Sequence, residues 1–73
     1  MSANWRAAEH RRRATQDHPQ AADAWNNLAQ VLLEQGRTGE ARQAAQRAVR
    51  LGGARFRTYR ETLEAIPRAA KGG

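Results

Sequence analysis

Cysteine is absent from this chain, so no disulfide and no thiolate metal site can staple it. Aromatic residues make up only 5%, and the apolar inventory is mostly alanine, which favours helix but adds little burial per residue. A core of this composition has to rest on a few large side chains: Trp25, Leu28, Leu32, Leu51, Phe56, Tyr59, Leu63 and Ile66. No apolar run approaches the roughly 20 residues that span a bilayer, and the first residues lack the apolar stretch of a secretory signal. A soluble, cytoplasmic protein with no membrane partner is the expectation. Lysine is nearly missing as well: of thirteen basic residues only Lys71 is not arginine. Set against seven acids they leave a formal charge of +6, a field that attracts nucleic acid and acidic protein surfaces alike. Alanine and arginine enrichment also follows from GC-rich coding, so charge alone assigns no partner.

With 73 residues there is room for one domain, which buries only roughly 60% of the surface its unfolded chain exposes. Glycine and proline divide it into four segments of helical character. Residues 4–16 contain neither breaker and are rich in Ala and Arg, with Ala7 and Ala14 on one weakly apolar side and His10 and Arg11 between them. His18-Pro19 ends this segment, because the residue before a proline is pushed out of the helical region. In residues 21–35, Trp25, Leu28, Ala29 and Leu32 follow the spacing of a buried stripe, Asn26, Gln30 and Glu34 fall elsewhere, and Gly36 suits a left-handed cap. Thr38 is placed to cap a third helix, with Glu40 in its first turn. Ala41, Ala44, Ala45, Ala48 and Val49 form its apolar face, and Arg42, Gln43, Gln46, Arg47 and Arg50 its polar one, before Gly52-Gly53 breaks it. Residues 54–66 put Phe56, Tyr59, Leu63 and Ile66 opposite Arg57, Arg60, Glu61 and Glu64, and Pro67 closes the segment. The fold class expected is all-α, four antiparallel helices forming one domain over residues 1–67, with 68–73 as a flexible tail.

The chain also repeats itself. A shift of 34 residues lays Tyr59 on Trp25, Leu63 on Ala29 and Ile66 on Leu32, with Ala7 under Ala41, Ala14 under Ala48 and Pro19 under Gly53. Trp25, Leu28, Ala29, Leu32, Gly36, Ala41 and Ala48 stand at the signature positions of the tetratricopeptide repeat, which residues 22–53 resemble most closely. Two positions depart from the family pattern: Ala45 replaces a bulky aromatic, and Gly53 replaces the closing proline. The resemblance implies one full helix-turn-helix repeat flanked by two half repeats, the fourth helix acting as a cap with Phe56 and Tyr59 packed on Ala41, Ala45 and Ala48. Repeats of this kind bury their faces by stacking, and about three are needed for independent stability, so either the chain is marginally stable or a second copy or another protein covers the open ends.

No cysteine nucleophile or glycine-rich phosphate loop is present, and His10 and His18 lie eight residues apart across a helix end, so no enzyme, metal or cofactor is expected. By resemblance, Asp23, Asn26, Asn27, Gln30 and Leu33 face or border a peptide-binding groove, with Asn27 matching an asparagine that pairs with ligand backbone; the plain alternative is that the amides are solvated. An amide suits backbone pairing because it both donates and accepts. Arg57 and Arg60 would stand beside that groove and, through their forked guanidiniums, favour an acidic peptide or partner helix. Trp5, with Ala7, Arg11 and Ala14, is the candidate surface for self-association as a dimer, though Trp5 has the alternative of folding back on its own helix. A second reading takes Arg6, Arg11, Arg12 and Arg13, with the arginines of the third helix, as phosphate contacts of a nucleic-acid accessory protein. Consecutive residues spread around a helix, so a solvated face explains that run as well. The function expected first is a self-associating protein–protein interaction module; a piece of a longer solenoid is a third possibility.

Overall fold

The computed structural model describes residues 4–67, with side chains from Arg6 to Pro67. The expected tail over 68–73 and the side chain of Trp5 therefore lie outside the described residues. Four helices follow one another: α1 (Asn4–Asp17), α2 (Ala22–Glu34), α3 (Thr38–Leu51) and α4 (Phe56–Ala65). The described residues contain no strand, and none of their helices is long and apolar enough to cross a membrane.

Short turns with defined chemistry set the antiparallel order. After α2 the amide of Gly36 donates to Leu33 O at 2.9 Å and that of Arg37 to Leu32 O at 2.9 Å, the two bonds of a Schellman cap. Gly36 holds φ +78 there, a left-handed conformation that costs glycine nothing. The α1–α2 turn is tied to the start of α2, where the Trp25 indole donates to Pro19 O at 2.9 Å.

The central element is α2, on which α1, α3 and α4 all pack, while α4 also rests on α3. Its Leu28, Ala29 and Leu32 meet Ala41, Ala44 and Ala45 of α3, Ala8 of α1 and Ile66 beyond α4 in one buried cluster. The alanines let α3 approach closely, and Leu28 and Leu32 are the largest fully buried side chains. A core this small leaves the domain dependent on a handful of contacts.

Several expectations need correction. Leu51 and Phe56, assigned to the core, are 38% and 42% exposed. They stand at the last residue of α3 and the first of α4, and no later helix among the described residues covers them. Tyr59 alone takes the buried place on α4 that was expected for the Phe56–Tyr59 pair. On α1 the buried positions are Ala8 and Thr15, whereas Ala7 is exposed and Ala14 half-buried. Ala41, one period later, buries in the cluster with the helix preceding it; α1 has no preceding helix among the described residues, so Ala7 stays open. Thr38 does not cap α3, which has no side-chain cap; instead Arg37 at that position binds Glu40 through contacts of 3.0–3.2 Å.

Candidate functional site

Because α2 has neighbours on three sides, only a narrow stripe of it reaches solvent: Asp23, Asn27, Gln30 and Glu34, spaced as one helical face. Asn27 and Gln30 therefore present their amides outward, as the groove reading requires. Asn26 does not: it is 6% exposed, and its Oδ1 has no hydrogen-bond partner among the described residues. Leu33 is half-buried against the core cluster. Asp23 is engaged within the fold, accepting a 2.7 Å hydrogen bond from the Tyr59 hydroxyl and lying 3.7 Å from Arg55.

On α4 the two groove arginines differ. Arg60 pairs with Glu64 at 3.0 Å, one turn along the helix, while Arg57 is exposed and has no ion pair among the described residues. Together with Phe56 and Glu61 they border a shallow depression of about 400 Å³.

A second concavity, of about 350 Å³, lies between α1 and α3 with α2 beneath it. Arg12 reaches across from α1 to Glu40 of α3 at 3.1 Å, and Arg37 joins the same carboxylate at 3.0 Å. Partial desolvation pushes the Glu40 carboxyl up, but hydrogen bonds from Arg12 and Arg37, with their charges, outweigh it and hold the group below its ordinary value. Farther along α3 the Arg47 guanidinium lies over the Trp25 ring, 5.2 Å from its centroid, with Arg50 beside it. Neither Arg47 nor Arg50 has an acidic partner among the described residues.

Charge divides between the two helix pairs. Seven arginines stand against three acids on α1 and α3, while α2 and α4 carry two arginines against four acids. The run Arg11-Arg12-Arg13 does not form one patch: Arg12 is turned inward to Glu40, and Arg11 and Arg13 are exposed on other sides of α1, as is Arg6 one turn earlier. The α1–α3 concavity was not foreseen from the sequence. Its one legible signal was the polar face of α3, where Gln43, Gln46, Arg47 and Arg50 recur at helical spacing.

No group of three or more His, Cys, Asp or Glu among the described residues is arranged to hold a metal ion. Comparison with curated proteins gives no match, and neither does comparison with solved structures. The family model of the tetratricopeptide repeat, by contrast, matches residues 3–70, nearly the whole chain. With the Trp25–Leu28–Ala29–Leu32 stripe packed on the alanines of α3 and a Schellman cap between the two helices, the chain belongs to the tetratricopeptide repeat family, a family of helical protein-interaction modules.

Proposed function

We propose that this protein docks an acidic segment of another protein. The partition of charge carries the reading: α1 and α3 hold a surplus of four guanidiniums, Arg47 and Arg50 among them without an acidic partner among the described residues. Arginine recognises carboxylates through two parallel hydrogen bonds, so unpaired guanidiniums beside an aromatic ring favour an acidic peptide over a neutral one. The α2–α4 face adds the outward amides of Asn27 and Gln30, suited to a peptide backbone, and the exposed Arg57, which has no ion pair among the described residues. Fluorescence polarisation with labelled glutamate-rich, glutamine-rich and lysine-rich peptides tests this. Preferential binding of the glutamate-rich peptide, weakening with salt, is the expected result; equal affinity for all three would sink the reading.

Self-association belongs to the same proposal. The register that buries Ala41 leaves Ala7 exposed and Ala14 half-buried on α1, with Arg11 exposed beside them, which is where a preceding helix of the solenoid would pack. A second copy is the occupant proposed for that face. Sedimentation equilibrium is expected to show a dimer that Ala7→Glu converts to monomer. A monomer at every concentration removes this part of the proposal.

A further inference from the structure

We infer that the concavity between α1 and α3, on the opposite side of α2 from the Asn27–Gln30 stripe, is the site that reads the acidic partner's charge; this rests on the ligand class proposed above. The Arg12–Glu40 bridge of 3.1 Å closes one end, and with Arg37 on the same carboxylate it leaves no free negative charge there. Arg50 stands at the other end, about 15 Å along α3 from Glu40 at 1.5 Å per residue. Between them the Arg47 guanidinium is held over the Trp25 ring, 5.2 Å from its centroid, and Trp25 is itself fixed by its 2.9 Å bond to Pro19 O. The cation is thus partly ordered before any ligand arrives, which lowers the entropy lost on binding.

The occupant is an acidic peptide segment spanning about three helical turns. Two of its carboxylates pair with Arg47 and Arg50, and an apolar side chain rests on the half-buried Trp25. Gln43 and Gln46 line the same wall, where their amides can both donate to and accept from a peptide. Nucleic acid fits worse. Two unpaired guanidiniums give a log-log salt slope of only about −2 on duplex DNA, too few phosphate contacts for useful affinity, and the other arginines of α1 point elsewhere. The α2–α4 face fits the charge worse too, since it carries four acids against two arginines.

The test uses the full chain and three fluorescein-labelled probes: a glutamate-rich peptide with a central leucine pair, its glutamine counterpart, and a short duplex DNA. Four forms are titrated: wild type, Arg47→Gln with Arg50→Gln, Arg50→Glu alone, and Asn27→Ala with Arg57→Gln. Circular dichroism confirms that each keeps its helices, and the exposed Arg50→Glu covers the case in which loss of the Arg47–Trp25 contact unsettles the double variant. The expected result is binding of the glutamate peptide by wild type, weakened about tenfold or more in both forms altered at Arg50 and less than about twofold in the Asn27–Arg57 form. Binding unchanged in the Arg50 forms but lost in the Asn27–Arg57 form overturns the groove and leaves the ligand class standing. Failure of wild type to bind the glutamate peptide overturns both, as does tighter binding of the duplex than of the peptide.

Discussion

Tyr59 donates its phenolic hydrogen to Asp23 over 2.7 Å, joining α4 to the first turn of α2 across thirty-six positions of sequence. Tyr59 stands one repeat period after Trp25, and both residues anchor their helix through a polar tip while the ring packs: Trp25 to Pro19 O, Tyr59 to Asp23. The bond adds to what seats the closing helix on the repeat, beside the buried Tyr59 ring, Ile66 and the partly buried Leu63, while Phe56 at the start of α4 stays exposed.

Tyr59→Phe is therefore expected to cost about 1 kcal/mol, the usual worth of one such hydrogen bond. It also carries a pH signature. The bond to Asp23, then desolvation and the Asp23 charge, raise the Tyr59 pKa above 10.0 against a small opposing effect of Arg55. A raised folded pKa means that this stabilisation is complete below pH 10.0 and is lost as pH rises through the folded value. Urea unfolding followed into the alkaline range should show that decline in wild type and lose it in Tyr59→Phe.

Glu40 acts in the opposite direction. Its folded pKa lies below 4.5, so its contribution is present above pH 4.5 and disappears as pH falls through the folded value. The group is half exposed, so solvent screening limits the effect to at most about 1 kcal/mol. Glu40→Gln should flatten the acid limb of the stability profile and reduce the salt sensitivity of the α1–α3 contact. An unchanged acid limb would show that Arg12 and Arg37 do not hold the carboxylate in solution.

Two substitutions on the buried side of α2 should differ sharply. Leu32→Ala removes one of the two large fully buried side chains and is expected to cost about 2–5 kcal/mol, enough to unfold so small a domain. Asn26→Ala removes a buried acceptor without a partner among the described residues and gains helix propensity, so its net effect should stay within about 1 kcal/mol. Thermal melts of the two variants compare them directly. A comparable loss in Asn26→Ala would reveal a partner for Oδ1.

The sequence showed the central hairpin plainly, because Trp25, Leu28, Leu32 and the alanines of α3 carry both a helical period and the family spacing. The rotation of α1 was not legible. Ala7 and Ala8 are adjacent alanines of equal propensity, and only the way α1 lies on α2 decides that Ala8 is the buried one. Asn26 was misjudged because its polarity argued for solvent, whereas α1, α3 and α4 leave α2 a single narrow exposed stripe. Of the groove residues, Asn27 and Gln30 could be read as outward-facing. The α1–α3 concavity left only the polar face of α3 as a trace, since the sequence does not show that Arg12 lies across from Glu40.

The most direct test of acidic-segment docking between α1 and α3 is a two-dimensional amide NMR titration of the wild-type protein with the glutamate-rich peptide. The amides of Gln43, Gln46, Arg47 and Arg50 and the Trp25 indole are expected to move together and saturate at one affinity. Shifts confined to Asn27, Gln30 and α4, or no shifts at all, would contradict it.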